Sequence, residues 1–244
     1  MDLAYVIPAR MKSTRFPGKP LHLIQGKEMI LHVLDRVASI SSIENIFVAT
    51  DSSEISKTVC NYGFQVVETD AHMTGTDRIA EANRKINADY ILNIQGDEPV
   101  FNPQDIVRAR DFLLTSNFEV ITGFCTLNDS EDWQDKNTIK LVSSRSGRLL
   151  YISRSPIPGS KMNYSDFQPT RQVCIYGYTR RALENFSLMA RSDLELEEDH
   201  ELLRFLENDI SVGVVKLSDW SIPVDLPSDV ELVEKQLTRK FGII

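Results

Sequence analysis

The chain predicts an α/β fold, doubly wound around a mostly parallel sheet, with a β-rich arm in its second half. Two observations carry this. Over the first half, short β-branched runs alternate with segments whose apolar residues recur at helical spacing, and strands separated by helices of that length pair in parallel as βαβ units. In the second half, strand-like runs instead follow one another around a proline-rich stretch. At 244 residues the chain fits one domain over 1–244, with the arm at about 138–180.

Taken in order, "LAYVIP" (3–8) reads as a buried strand. "EMILHVLDRVASI" (28–40) sets Ile30, Leu31, Leu34, Val37 and Ala38 on one helical face. "NIFVAT" (45–50) is the next strand, and Asp51 or Ser52 can cap a helix running to about Asn61. "FQVVET" (64–69) is a third strand, followed by a helix over Thr76 to Ile86 and by "DYILNIQ" (89–95) as a strand. "PQDIVRARDFLL" (103–114) is helical and "FEVITGFCTL" (118–127) extended. "IKLVSS" and "LLYISRSPIP" flank a turn at Ser146-Gly147, and "VCIYGYTR" is another strand. Between these, Pro156, Pro158, Gly159 and Pro169 make 155–170 a loop or arm. "DLELEEDHELLRFLEND" has helical spacing at Leu196, Leu202, Leu203 and Leu206. A strand "VGVVKL" and a helix from about Pro227 close the domain.

Composition, at 42% hydrophobic and 25% charged, is that of an ordinary globular protein. A net charge of −8 argues against general nucleic-acid or anionic-membrane binding, which needs a basic excess. No apolar run approaches the ~18 residues of a membrane span, and the N-terminus lacks the charged-then-apolar pattern of a secretory signal; the expectation is a cytoplasmic protein. Cys60, Cys125 and Cys174 form no CxxC pair and are expected as buried reduced thiols. His22, His32, His72 and His200 are dispersed, with His200, in a charged helical segment, expected at the surface. No Gly-x-Ser-x-Gly or Cys/His signature supports a covalent nucleophile.

"VIPARMKSTRFPGKPL" (6–21) gathers Arg10, Lys12, Arg15 and Lys19 directly after the first strand, and residues 3–27 contain no acid. In a doubly wound sheet that places the cations at the carboxyl edge, where ligands bind. The stretch is not a Walker loop, since Ser13 replaces the first Gly and Pro20 follows Lys19. The two prolines also argue against Lys19 sitting in a helix's first turns with free backbone donors. Small residues (Ala9, Ser13, Thr14, Gly18) permit close backbone approach. Either a triphosphate or plain solvent faces such a loop.

"LNIQGDEP" (92–99) projects Asp97 and Glu98 from a strand end. Hard carboxylate oxygens there suit Mg²⁺, which completes its shell with water and phosphate; the alternative is an acidic turn before the helix that follows Pro103. In "IPVDLPSDV" (222–230), Asp225 is a second metal ligand or a turn acid, and Ser228 or Asp229 can cap the last helix. "TGTDRI" (74–79) offers a helix start suited to a flat base, or a plain N-cap.

In this order, "IPAR…STRFPGKPL", "GKEMILHVLDR", "VATD", "TGTDR", "NIQGDEP", "YISRSPIP", "IYGYTR" and "VDLPSD" resemble the 3-deoxy-manno-octulosonate (Kdo) cytidylyltransferases over nearly the whole chain. The resemblance implies an enzyme joining CTP to an acidic sugar with release of pyrophosphate, as in lipopolysaccharide or capsule biosynthesis. It implies Arg10, Arg15 and Lys19 as triphosphate ligands, Asp97 and Asp225 as Mg²⁺ ligands, and Arg10, Lys19 and Asp97 as the catalytic groups. Pro8, Ala9, Arg10, Gly75, Thr76 and Arg78 are implied around the nucleotide. Gln95, Arg154, Tyr176 and Glu201 match positions facing the sugar acid. The family's dimers imply a homodimer formed through the second half.

Two departures bear on the acceptor. Gln172 stands where the family usually has His, and Leu202 where it has Gln. With both in the pocket, the expected acceptor is less polar or smaller than Kdo. The alternatives are a sialic-type acid, a phosphonate or a sugar 1-phosphate as acceptor, or a catalytically silent nucleotide-binding regulator.

Overall fold

In the computed structural model, which describes residues 1–13, 15–127, 133–159, 161 and 168–241, β1 (Leu3–Ala9) runs through the middle of the sheet. β1 pairs in parallel with β4 (Ile46–Thr50) on one side and β6 (Tyr90–Ile94) on the other. All five residues of β4 are buried, which explains its unbroken apolar run: both faces of a parallel sheet are covered. β5 (Gln65–Glu68) extends that side, while β2 (Leu23–Ile24) and β3 (Lys27–Glu28) form a separate antiparallel pair.

Beyond β6 the order is β10 (Thr170–Thr179), β7 (Val120–Thr126) and β11 (Val212–Lys216). β10 is antiparallel to both β6 and β7, while β7 and β11 run parallel. The remaining strands, β8 (Lys140–Ser143) and β9 (Leu149–Ser153), form an antiparallel hairpin joined to the start of β10. Residues 138–180 thus supply the antiparallel part of a mostly parallel sheet. Ser160 and residues 162–167 of the predicted arm lie outside the described residues, as does Thr14 of the basic loop.

Helices cover both faces. α1 (Met29–Ala38) buries Met29, Ile30, Leu31, Val33, Leu34 and Val37, and α4 (Pro103–Thr115) packs with it on one core cluster. α3 (Gly75–Ile86) and α5 (Arg180–Leu188) serve the opposite cluster. α2 (Ser53–Asn61) buries Ile55 and Val59 and leaves Cys60 on its solvent side; of the three thiols only Cys125 is fully buried, so the expectation fails for Cys60.

The acid-rich stretch is two short helices, α6 (Asp193–Glu198) and α7 (Leu202–Glu207), broken at Asp199 with φ 49°. Tertiary contacts of His200 and Glu201 prevail over local helical spacing here. α8 (Asp229–Phe241) ends the described chain. Among the described residues, no helix is long and apolar enough to cross a membrane.

Candidate active site

A cleft of about 1590 Å³ opens at the carboxyl ends of β1 and β6, the point where strand order reverses and doubly wound sheets bind ligands. The turn after β6 can lie close to β1 because residue 96 is Gly. A Cβ there would stand 3.1 Å from the Pro8 carbonyl oxygen and 3.1 Å from Ile30.

Pro8, Ala9, Arg10, Lys12, Arg15 and Lys19 line one side of the cleft. Gly18 adopts φ 72°, and Lys19 then opens a 3-10 turn, Lys19–Leu21, with Pro20 inside it. Proline is tolerated there because at a helix start the N–H that it lacks has no helical partner to lose, and the turn leaves Lys19 no free backbone donor, as the prolines led one to expect. The Lys19 N–H is bonded to the Phe16 carbonyl, so the side chain, rather than the backbone, is the cation presented.

The Lys19 ammonium donates to Asp97 Oδ2 at 2.6 Å and to the Val224 carbonyl at 2.7 Å. It also lies 3.7 Å from Asp225 Oδ1, which Arg15 meets at 3.0 Å. The two carboxylates, 128 positions apart in sequence, thus converge on one cation. Backbone pairing brings them together: the Val224 N–H donates to the Asp97 carbonyl at 2.9 Å, and Val100 bridges Ile222. The Ser221 hydroxyl adds a bond to the buried Glu98 carboxylate. Burial raises the Glu98 carboxyl to about 6, partly offset by that hydroxyl.

These groups fit Mg²⁺. Two hard oxygen donors face one point beside a cluster of cations suited to phosphate, and an ion that keeps waters and phosphate oxygens needs few protein ligands. Among the described residues no cluster of three or more His, Cys, Asp or Glu side chains forms a fuller cage.

The start of α3 departs from expectation. Gly75 lines the cleft, but its N–H donates to Glu201 Oε1 at 2.8 Å and that of Thr76 to Oε2 at 3.0 Å. Thr74 accepts the N–H of Asp77. The N-cap reading of "TGTDRI" is therefore the one realised, and these N–H groups already have partners. Thr76 itself is fully buried and faces Glu201 and Tyr178 rather than the cleft. Glu201 acts as the anion at a helix N-terminus; burial raises its carboxyl nonetheless. Arg78 reaches the cleft wall while bound to Asp51 at 3.1 Å and Thr69 at 2.6 Å, bracing α3 against the ends of β4 and β5.

Gln95, Arg154, Gln172, Tyr176 and Glu201 line the far side. Arg154 is held by the carbonyls of Glu198, Lys136 and Asp199. Leu202 does not line it. The side chain is fully buried in the apolar cluster with Tyr178 and Phe205, because the turn at Asp199 rotates α7 so that its leucines face the sheet. The expectation that Leu202 removes a polar partner from the pocket is corrected accordingly.

Sequence reasoning missed Arg171, Asn137 and His200, all in the cleft wall. His200 is buried rather than at the surface, with Nε2 2.8 Å from Gln172 Oε1. Burial, then Arg154, lowers its pKa to about 4, against the opposing pull of Asp199, Glu198 and Glu195. A histidine kept neutral in the fold contributes stability above its unfolded pKa near 6.5, lost as pH falls toward 4. From pH 7 to pH 5 the parent should lose about 2 kcal/mol more unfolding free energy than His200→Gln. Urea titrations at the two pH values check this; equal losses would show that the imidazole is not held neutral.

A family model described as "Cytidylyltransferase" matches residues 4–213. The chain is 39% identical to the 3-deoxy-manno-octulosonate cytidylyltransferase of Geobacter metallireducens, covering 98% of this chain and 99% of that one. It is 38% identical to that of Thermodesulfovibrio yellowstonii, over 95% and 96%. A solved structure, CMP:2-keto-3-deoxy-manno-octonic acid synthetase complexed with CTP, superposes with a TM-score of 0.92 at 32% identity, over 99% and 100% of the two chains. With sequence and fold matched over nearly its full length, the chain belongs to the 3-deoxy-manno-octulosonate cytidylyltransferase family.

Proposed function

We propose that the chain transfers the cytidylyl group of CTP to an acidic sugar, Kdo or a close relative, releasing pyrophosphate. The observation that carries this is the convergence of Asp97 and Asp225 opposite Arg10, Lys12, Arg15 and Lys19 in one cleft. The names borne by its relatives and the CTP in the superposed structure support it.

In the reaction a sugar hydroxyl attacks the α-phosphorus in line; the new P–O bond forms as the bond to pyrophosphate breaks. Catalysis of this kind is mostly positioning and charge neutralisation, which accords with the lack of a nucleophile signature. Arg10, Arg15 and Lys19 neutralise the departing phosphates. Asp97 and Asp225 would hold Mg²⁺, which when bound supplies positive charge at the phosphates. Pro8, Ala9 and Gly75 border the nucleotide, and the carboxylate of the acceptor falls among Arg154 and Arg171. The antiparallel part of the sheet is the proposed homodimer surface.

The test is pyrophosphate release from CTP over a panel of Kdo, sialic-type acids, phosphonates and sugar 1-phosphates. Turnover with Kdo or another acid is expected. CTP binding with no turnover on any acid would make the protein a nucleotide-binding regulator, and turnover with a sugar 1-phosphate alone would reassign the acceptor.

Lys19→Ala and Arg10→Ala should each weaken CTP use by ~1.5–3 kcal/mol, the value of a charge-assisted bond to phosphate, or ~10- to 150-fold in kcat/KM. Unchanged CTP affinity and rate in both variants would return the loop to a solvated surface.

A further inference from the structure

Gln172 sits where β10 runs past the end of β6, and its amide is fixed from two sides. The Leu202 N–H donates to His200 Nδ1 at 3.3 Å, so the ring proton resides on Nε2, 2.8 Å from Gln172 Oε1. Gln172 Nε2 in turn donates to Thr122 Oγ1 at 3.0 Å. The bonds run in one direction, from α7 through His200 and Gln172 to β7. Flipping the amide would set two N–H donors against each other at His200. The wall is also dry: Gln172 and His200 are 5% and 7% exposed, and Thr122 is fully buried.

An amide held this way keeps one N–H and one lone pair of Oε1 uncommitted, and Gln172 borders the cleft. A donor and an acceptor side by side match a hydroxyl, which has both. They do not match a carboxylate, which only accepts and would meet the Oε1 lone pair. We infer that His200 is a specificity-determining positioning residue: by orienting Gln172 it makes that end of the cleft read a hydroxyl of the acceptor. This rests on the cytidylyltransferase reading above. It also reverses the preference expected from sequence, because the imidazole absent at position 172 is supplied by position 200 and the wall stays polar.

The test compares kcat/KM for Kdo and for each singly deoxygenated Kdo in the parent, His200→Leu, His200→Gln and Gln172→Leu. In the parent, one deoxy analogue should fall ~10- to 100-fold below Kdo, as when a buried polar group loses its partner. In H200L and Q172L that difference should shrink to about 3-fold or less, with KM for CTP unchanged, because a freed or absent amide no longer discriminates. H200Q, which keeps an N–H donor toward Oε1, should retain most of it. A purely structural His200 would move CTP and acceptor parameters together and leave discrimination intact, and that result overturns the inference. So does a parent that uses every deoxy analogue as well as Kdo. Should H200L fail to fold, Q172L still tests the inference: discrimination undiminished in that variant overturns it, and its collapse supports it. A parent forming no CMP-acid from any acceptor overturns the cytidylyltransferase reading, and the inference with it.

Discussion

Asp97→Ala should lower kcat by ~10²–10³ or more, a loss of ~3–4 kcal/mol of transition-state stabilisation, while the protein stays folded. The carboxylate lies 2.6 Å from the Lys19 ammonium and converges with Asp225 on the same point, so under the proposed Mg²⁺ role its removal would leave one protein carboxylate to hold a cation at the phosphates. The fold should survive because the tie between the two segments runs through the Asp97 backbone carbonyl, which accepts from Val224 and is unaffected by truncating the side chain. Pyrophosphate release at saturating Mg²⁺, alongside circular dichroism of the variant, measures both halves of the expectation. Near-parental turnover at saturating Mg²⁺ would mean that Asp97 holds no metal in the reaction.

The largest expected effect on stability belongs to Arg204→Ala, at about 3–5 kcal/mol, the range for removing one partner of a buried ion pair. Arg204 meets Glu195 with two bonds of 2.7 Å each, and the two side chains are 3% and 0% exposed. Its guanidinium also stacks 3.7 Å over the Phe186 ring and approaches Asp77 at 3.5 Å. Without Arg204, the Glu195 carboxylate keeps Arg191 and the Ser192 N–H but is left with a buried face unpaired. Urea unfolding of parent and variant gives the difference; a loss under about 1 kcal/mol would place the pair among surface-like bridges. Because Arg204 joins α5, α6 and α7 to the first turn of α3, the weakened variant should also lose order in the turn bearing His200 and Glu201.

How much could be read in advance differs along the chain for physical reasons. β1, β4 and β6 and their helices follow from unbroken apolar runs and helical spacing, which local sequence records directly. That Arg10 and Asp97 line the cleft was legible because each lies just past a strand end, and the edge of a parallel sheet is a property of topology; Lys19, ten positions beyond β1, was marked by the acid-free run of cations it belongs to. Asp225 needed the resemblance as well, since backbone pairing of 222–224 with 97–100 leaves no local mark. The turn between α6 and α7 was illegible. Nothing in "EEDHELL" announces a left-handed Asp199, and the contacts that require it, to Gly75, Thr76 and Gln172, lie more than 25 positions away. For that reason the sequence pattern alone puts Leu202 and Thr76 in the pocket and His200 outside it, the reverse of where the structure has them. Lys140 is a parallel case: fully buried, it donates to the carbonyls of Asp135, Thr138 and Arg154, a role no charged residue reveals by spacing.

The insertion of β10 between β6 and β7 also governs the order in which the chain can fold. β6 is complete at residue 94 and β7 at residue 126, yet the strand that separates them spans residues 170–179. Until it is made, each of those strands has an unfilled edge of backbone donors and acceptors, a ready template for mispairing. A nascent chain can therefore assemble β5–β4–β1–β6 early. It must hold that half-sheet open, without joining β7, until β10 arrives. Such late, long-range closure is slow, and the whole β6–β10–β7 junction, with the Gln172 wall in it, should form in a single late step.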